Sequence, residues 1–319
     1  MKNFIFVLFL NLSLTSCCFT NSNSMDNSNI KSDIPVKKER LYSDVKEITS
    51  TKPARNYENI ESLNKAAGYI YDQFQKLSGN VEIQKYKAGD KEYKNIICSF
   101  GPMDSERIII GAHYDVCGEQ PGADDNASGV AGLLEIARLI NELKPDMKNR
   151  IDLVAYSLEE PPFFRTEFMG SSVHAKSLVD LKVKVKVMIS LEMLGYFSEK
   201  PKSQQYPVFF LKWFYPDKAN FIAVVGKYGQ GKIIKKIKKY MIQGSNIDVQ
   251  SLSAPSSLPG IDFSDHLNYW RYGYKAVMIT DTSFYRNPNY HFTTDTIETL
   301  DFDKMTEVVR GVYWAVVNI

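Results

Sequence analysis

The sequence predicts an α/β fold in a single domain, with a mainly parallel central sheet and helices on both faces. Apolar runs such as "RIIIGAHYD" (107–115) alternate along the chain with segments of helical spacing such as "NASGVAGLLEIARLINEL" (126–143). Such alternation is typical of strand–helix–strand units, whose crossover connections make neighbouring strands parallel. The chain has 319 residues, of which 44% are hydrophobic and 13% aromatic, which is enough for one large packed core.

The individual elements follow from the spacing of apolar residues. Residues 64–77 have helical spacing, and 81–89 and 91–100 predict two strands that pair as a hairpin around Gly89 and Asp90. The alternating part of the chain comes next. We expect strands at 107–115, 151–160, 184–194, 221–227 and 275–282, and helices at 126–143, 168–179, 230–241 and 302–317.

The first residues have the layout of an export signal. Lys2 precedes an apolar run at 4–14 that is too short to span a bilayer as a helix. The tetrapeptide at 14–17, "LTSC", resembles the lipobox of bacterial lipoproteins, which implies that Cys17 is lipidated and anchors the exported protein to a cell envelope membrane. An ordinary cleaved signal is the alternative. The predicted segments are a signal peptide at 1–16, a lipidated tether at 17–37 and the folded domain at 38–319.

The charge balance excludes one class of partner. Lysine plus arginine number 39 against 37 for aspartate plus glutamate, so nothing in the composition indicates nucleic-acid binding. The basic stretch at 232–239 fits the solvated face of an amphipathic helix, and the lipid on Cys17 is therefore the membrane contact we expect. The four cysteines, two of them adjacent near the N-terminus, do not have the spacing of a disulfide framework.

Potential metal ligands follow the predicted strands at the point where each strand ends. In open α/β sheets, ligands bind beyond the carboxyl ends of the strands, so these side chains should meet at one edge. Asp125 joins them from a loop that enters the helix at 126–143. The side chains at the strand ends are His113, Glu159, Glu160, Glu192 and His291.

Histidine is rare in this chain, which makes its placement informative. Of the four histidines, His113, His266 and His291 fall at these edges. His174 lies within the predicted helix at 168–179, where we expect a structural role.

Two histidines and three carboxylates suit two zinc ions that share a bridging carboxylate. In the run at 124–126, one acid can bind metal while its neighbours cap the following helix. Asp115, two residues after His113, can accept a hydrogen bond from the imidazole and so fix its tautomer. These donor types therefore predict a two-zinc centre.

The adjacent acids Glu159 and Glu160 cannot both face the same ion. One can bind metal while the other takes a proton from an attacking water, which indicates hydrolytic chemistry. Other site types fit less well, since calcium would not use histidine and structural zinc would prefer cysteine. A serine nucleophile would need a G-x-S-x-G elbow, and the sequence has none.

The motifs that carry these residues resemble the bacterial zinc aminopeptidase family, which also contains glutaminyl cyclases and glutamate carboxypeptidases. The match runs from about Arg55 to the C-terminus, and the motifs occur in the family's order. They are "GAHYD", "GADDNASG", "LEE", "LEMLGY", "SDHLNYW" and "YHFTTDTIETLD".

The resemblance assigns roles to individual residues. It implies that Asp125 bridges two metal ions, that Glu159 is the general base, and that Tyr290 steadies the oxyanion. It places Asp265 and His266 near the site without making them ligands. The metal ligands that it implies are His113, Asp125, Glu160, Glu192 and His291. The position of Glu192 is often an aspartate in the family's di-zinc members.

The segments that depart from the family's pattern are candidates for substrate selection. After "LEE" the chain continues "PPFFRTEFMGSS", in which Phe163, Phe164 and Phe168 can line a pocket or fill the core beneath it. The long aromatic stretch at 196–218 is expected to form a wall or lid.

The leading hypothesis is an exported, zinc-dependent aminopeptidase that acts on peptides. A glutaminyl-peptide cyclotransferase on the same scaffold is one rival. A carboxypeptidase is another, with Arg165 or Arg286 as the partner of the substrate carboxylate. A binding protein that has lost catalysis is the rival from a different class, and the complete ligand set argues against it.

Overall fold

The structure, a computed structural model, describes residues 34–319. The predicted signal peptide at 1–16 and the lipidation site at Cys17 lie outside the described residues. Ile34 and Val36, at the end of the predicted tether, are buried in the hydrophobic core. Within 34–319, no helix is both long enough and apolar enough to cross a membrane.

A single eight-stranded sheet organises the fold. Its strands are β1 (Asn80–Ala88), β2 (Lys91–Phe100), β3 (Arg107–His113), β4 (Arg150–Tyr156), β5 (Val185–Glu192), β6 (Phe221–Lys227), β7 (Asp248–Ala254) and β8 (Ala276–Thr280). The spatial order is β1-β2-β4-β3-β5-β8-β6-β7. The central strands β4, β3, β5 and β8 are mutually parallel, while β2 and β6 run antiparallel to them. The predicted hairpin and the mainly parallel sheet are thus confirmed.

Helices cover both faces of this sheet, as predicted. They are α1 (Lys38–Thr49), α2 (Ile60–Gln75), α3 (Gly129–Leu143), α4 (Gly170–Asp180), α5 (Gly231–Gly244), α6 (His266–Arg271) and α7 (Phe302–Asn318). One apolar layer includes α1, α2, α3, α5 and α7, and the other includes α4 and α6. Alternate residues of β3 enter opposite layers: Ile108 and Ile110 join the first, and Ile109 joins the second.

Three of these helices and strands were not predicted from the sequence. The helix α1 is rich in charge, and its apolar stripe is narrow, with Leu41, Val45 and Ile48 as its buried apolar residues. The strand β7 lies at the sheet edge and is mostly half-buried, so its sequence lacks a continuous apolar run. The helix α6 is too short to show a period. By contrast, the basic stretch at 232–239 behaves as expected, since α5 buries Ile234 and Ile237.

Candidate metal centre and active site

The predicted ligands converge at the carboxyl edge of the four parallel strands. His113 is the last residue of β3, and Glu192 is the last residue of β5. Glu159 and Glu160 follow the end of β4, and His291 follows β8 after one loop. Because these strands are neighbours and run in the same direction, four separate parts of the chain deliver side chains to one place.

Asp125 lies between the two histidines. Its Oδ1 is 3.3 Å from Nε2 of His113, and its Oδ2 is 3.2 Å from Nε2 of His291. On the first side, Oε2 of Glu192 is 3.4 Å from Nε2 of His113. On the second side, Oε2 of Glu160 is 3.3 Å from Nε2 of His291. Two groups of predicted ligands therefore share the carboxylate of Asp125, which is the arrangement that a bridging ligand would require.

The donor atoms in this cluster fit a metal ion. Among the described residues, Nε2 of His113, Nε2 of His291 and Oε1 of Glu160 have no hydrogen-bond partner although all three atoms are buried. Burial raises the pKa of Glu160 to about 7 and that of Glu159 well above its usual range. Unsatisfied buried polar groups cost about 1–3 kcal/mol each, and a divalent cation would satisfy them. Imidazole nitrogens with carboxylate oxygens are donors that zinc accepts.

The adjacent glutamates lie near different histidines, but one carboxylate oxygen of each and a ring nitrogen of His113 are all within 4.8 Å of one another, so the expectation that the two acids cannot face one ion is not confirmed. Oε2 of Glu159 is 3.9 Å from Nε2 of His113, whereas Glu160 faces His291. Asp115 holds both, because its carboxylate accepts hydrogen bonds from the backbone amides of Glu159 at 3.1 Å and Glu160 at 3.0 Å. Oδ1 of Asp115 is also 3.5 Å from Nδ1 of His113, slightly long for a hydrogen bond but on the side predicted for it.

The turn that carries Asp125 is irregular and tightly held. Gly122 at its start has φ of 60°, and a Cβ there would approach the carbonyl oxygen of Asp125 to 2.3 Å, so glycine is required. Asn126 accepts a hydrogen bond from the amide of Gly129, the first residue of α3, at 3.1 Å. Asp124 does not cap α3 as predicted. It accepts instead from the amide of Gly195, at 2.9 Å, and so ties the turn to the loop after β5.

Two supporting residues were missed by the sequence analysis. Asp295 accepts hydrogen bonds from the amides of Asp124 and Asp125, both at 3.0 Å, and thereby positions Asp125. Ser264 donates to Oε2 of Glu192 at 2.7 Å. Both lie inside motifs recognised from the sequence, "YHFTTDTIETLD" and "SDHLNYW". An aspartate or a serine is too common in loops for its residue type alone to indicate such a contact.

Tyr290 lies beside the cluster. Its ring stacks on His291 with centroids 3.8 Å apart, and it lines the adjoining cavity. Burial raises the pKa of Tyr290, so its hydroxyl stays a hydrogen-bond donor at neutral pH. A donor at this position is consistent with the oxyanion role, which stays a prediction.

The pair Asp265–His266 occupies the start of α6. Asp265 is fully buried, and burial raises its pKa to about 7. His266 donates from Nε2 to the carbonyl of Ile261 at 2.8 Å and packs edge-on against Trp270. Because Ile261 lines the cavity and His266 does not, His266 supports the cavity wall from behind.

A cavity of about 280 Å³ adjoins the cluster. One end is acidic, and the wall is apolar. The predicted wall at 196–218 is confirmed, since Tyr206, Leu211 and Tyr215 contribute to the lining. The acidic lining residues are Asp125, Glu159, Glu160 and Glu192, and the apolar ones include Phe164, Phe221, Val225, Leu252 and Met278.

The three phenylalanines after the glutamate pair do not act together. Phe164 lines the cavity and packs on Phe263, as predicted for a pocket ring. For Phe163 the structure favours the other alternative, a core ring: it packs on Tyr57 and Tyr93, against the core. Phe168 contacts Phe163 and is 37% exposed. The turn closed by the hydrogen bond from Phe163 N to the carbonyl of Glu160 sends adjacent side chains in opposite directions.

The two arginines considered for a substrate carboxylate are engaged elsewhere. Arg165 forms an ion pair with Asp262 at 2.6 Å. Arg286 is buried and donates to Gln204 and to the carbonyl of Phe221. Neither lines the cavity.

The two described cysteines are both free thiols. Cys98 is buried in β2, far in sequence from the ligands. Cys117 is partly exposed, and burial together with the carboxylates of Glu160, Asp125 and Asp115 raises its pKa to about 11.

A cluster of histidine and carboxylate side chains at the carboxyl edge of an α/β sheet, with a further glutamate beside it, is typical of a metal-dependent hydrolase. The chain belongs to peptidase family M28, whose model matches residues 95–316. The resemblance inferred from the motifs is thereby confirmed. In this family the metal is typically zinc.

Individual relatives match most of the chain. The Uncharacterized protein YfbL of Escherichia coli is 46% identical over 288 residues, covering 88% of each chain. Leucine aminopeptidase 1 of Sclerotinia sclerotiorum is 24% identical and covers 89% of this chain and 75% of its own length.

Solved structures share the fold. The zinc aminopeptidase of Bacillus subtilis superposes with a TM-score of 0.69 at 15% identity, covering 89% of this chain and 95% of its own. A glutaminyl cyclase of Bacteroides thetaiotaomicron superposes with a TM-score of 0.64 at 22% identity, covering 90% and 100%. Since both aminopeptidases and cyclases have this fold, the choice between them depends on the site.

Proposed function

We propose that this protein is a two-zinc aminopeptidase that removes bulky apolar residues from the N-termini of peptides. The observation that carries the proposal is the composition of the cavity. Within the described residues its lining has four carboxylates and no lysine or arginine. An acidic end attracts a free α-amine, and an apolar wall favours an apolar first side chain.

The same composition disfavours a carboxypeptidase. A C-terminal carboxylate needs a cationic partner, and Arg165 and Arg286 are already engaged outside the cavity. Four carboxylates at the reacting end would repel such a substrate before any metal compensated their charge.

The chain's residues divide into metal ligands and groups that handle protons. His113, Asp125 and Glu192 would hold one ion, and Asp125, Glu160 and His291 the other. When bound, the ions would polarise the scissile carbonyl and lower the pKa of a water. The other steps belong to side chains.

Glu159 is placed to act as the general base. It is buried beside His113, and Asp115 fixes its backbone through an accepted hydrogen bond. It would take the proton of the attacking water and pass it to the leaving amine. Tyr290, which lies beside His291, would donate a hydrogen bond from its hydroxyl to the oxyanion that forms at the former carbonyl. This hydrogen bond would be made only in the transition state.

The test is a panel of peptides that differ in their first residue, or in whether the N-terminus or the C-terminus is blocked. We expect kcat/KM for leucyl and phenylalanyl peptides to exceed that for alanyl peptides by roughly 10- to 50-fold, since each extra methylene is worth about 0.8 kcal/mol in an apolar pocket. Acetylation of the α-amine should abolish cleavage, and a C-terminal amide should not. Chelation should remove activity, and zinc should restore it.

Different products would point elsewhere. Conversion of a glutaminyl peptide to its pyroglutamyl form, without release of free amino acids from the other peptides, would favour the cyclotransferase. Release of C-terminal residues from acetylated peptides would favour the carboxypeptidase.

We further propose that the enzyme is exported and tethered by a lipid on Cys17. The support is the signal-like run and the lipobox-like "LTSC" at 14–17. Cys17→Ala should release a soluble enzyme with unchanged activity, because the ligands begin far beyond the tether. Palmitate labelling of wild type and variant to the same extent would remove this proposal.

A further inference from the structure

Cys117 lies at the metal centre. Its Sγ atom, a carboxylate oxygen of Glu160 and a ring nitrogen of His291 all lie within 4.8 Å of one another. Donor atoms of one tetrahedral zinc ion are about 3.3–3.8 Å apart, so side-chain movements of about 1 Å would bring these three atoms to that spacing. The thiol is thus close enough to join the triad that contains His291.

The backbone around Cys117 is held in place. Arg55 is fully buried and donates to the carbonyls of Tyr114, Pro121 and Gly122, on both sides of the cysteine. The carbonyl of Arg55 also accepts from the amide of Val116 at 3.3 Å. The backbone that carries the thiol is therefore held from both sides, while its side chain is left free to turn toward the ligands.

The neighbours of the thiol have unused donor atoms. Oε1 of Glu160, whose residue is only 4% exposed, and Nε2 of His291 lack hydrogen-bond partners among the described residues. Cys117 itself forms no disulfide. A cation at this point would satisfy all three groups, and thiolate is a ligand that zinc prefers.

We propose that Cys117 is a further protein ligand of the ion held by Asp125, Glu160 and His291. As the sulfur–metal bond forms, the thiol proton leaves to solvent. That side of the centre then has four protein ligands, whereas the side with His113, Asp125 and Glu192 has three and keeps an open position. By the usual distinction between closed and open zinc sites, the His113 side is the one that receives substrate.

The test uses the full chain with cobalt(II) in place of zinc. Ligation by Cys117 predicts a thiolate-to-cobalt charge-transfer band in the near ultraviolet that is lost in Cys117→Ser. The matched control is Cys98→Ala, which removes the other described free thiol and should leave the band unchanged. Zinc affinity at one of the two sites should fall at least about tenfold in Cys117→Ser, since even outer partners of a ligand contribute 10–100-fold.

A second measurement needs no variant. Zinc should protect Cys117 of the wild-type protein from alkylation, as measured by mass spectrometry of its peptide, and leave alkylation of Cys98 unchanged. A cobalt spectrum that is the same in wild type and Cys117→Ser, or an unprotected Cys117 in zinc-loaded protein, would overturn the inference.

This inference depends on the proposed function only in requiring metal at the site. The two can fail separately. Two bound ions with peptide hydrolysis but no sulfur band would leave the aminopeptidase standing and remove Cys117 as a ligand. Absence of metal binding would remove both.

Discussion

The hydroxyl of Ser264 donates a hydrogen bond to Oε2 of Glu192 at 2.7 Å. That same oxygen lies 3.4 Å from Nε2 of His113. Ser190 lies 2.8 Å from Ser264 and can donate to it, which leaves the Ser264 hydrogen directed at the carboxylate. Because Glu192 is buried, this short chain of hydroxyls sets the orientation of a proposed ligand.

Ser264→Ala should therefore weaken zinc binding on the His113 side by about 10–100-fold, the usual cost of losing a partner of a metal ligand. Competition with a chelating dye would measure it. Ser245→Ala is a matched control, because Ser245 is also buried but donates to the carbonyl of Met241. Wild-type affinity in Ser264→Ala would show that Glu192 needs no such support.

Substitution of Glu159 and of Glu160 should have different effects. Glu159→Gln should keep both ions and lower kcat by about 10²–10⁴, the range for loss of a general base. Glu160→Gln should instead lose metal, because Glu160 is the one that faces His291. Metal content and kcat measured on the same preparations decide the assignment, and the opposite pattern would exchange the two roles.

The bridging position of Asp125 predicts a specific stoichiometry. The wild-type protein should saturate at two zinc ions, as measured by elemental analysis after gel filtration. Asp125→Ala should lower the affinity for both ions, since its two oxygens face different histidines. Loss of one ion alone would mean that Asp125 belongs to a single site, and saturation of active wild-type protein at one ion would favour the cyclotransferase.

The convergence of the proposed ligands could be predicted from the sequence because their placement follows from local rules. A strand end and its chain direction determine the sheet edge on which His113 and Glu192 emerge, and these can be read from short windows. The supporting contacts cannot be read in this way. Asp295 meets Asp125 across 170 residues of chain, and Ser264 meets Glu192 across 72. Such pairings depend on how loops pack, which single-sequence patterns do not encode.

The same limit explains why the sequence left the placement of Phe163 open. Adjacent aromatic residues in a loop have no fixed period, so nothing in the sequence shows which ring faces the pocket. The structure separates them, with Phe164 on the cavity and Phe163 on Tyr57 and Tyr93.

Because the two adjacent rings lie in different surroundings, their alanine variants can serve as controls for each other. Phe164→Ala should reduce the preference for leucyl over alanyl substrates and leave the melting temperature nearly unchanged. Phe163→Ala should keep the substrate ranking and lower the free energy of unfolding by up to about 3 kcal/mol, the low end for a large core ring because Phe163 is only half-buried. Steady-state kinetics and thermal denaturation on both variants distinguish the roles. If both variants changed the substrate preference equally, the separate roles assigned to Phe163 and Phe164 would be contradicted.

The burial of His174 predicts how the free energy of unfolding depends on pH. The side chain is buried in α4, with Nδ1 2.6 Å from the hydroxyl of Tyr269, and burial lowers its pKa from 6.5 to about 4. Between these values the unfolded chain binds a proton that the folded chain does not. The free energy of unfolding therefore falls as the pH drops from 6.5 to 4, and above 6.5 this contribution is constant.

The His174→Gln variant keeps a polar group opposite Tyr269 and removes the titration. Urea denaturation at pH 7.5 and pH 5 should show a smaller loss of stability on acidification for the variant than for wild type. The difference should be of the order of 1–2 kcal/mol, because roughly 1.4 kcal/mol accrues for each pH unit below the unfolded pKa. The metal ligands also release zinc as they protonate, but they are common to both proteins, so their effect largely cancels in the comparison. If the two proteins lost stability equally, the pKa of His174 in the folded state would have to lie near its unfolded value, and burial would not be lowering it.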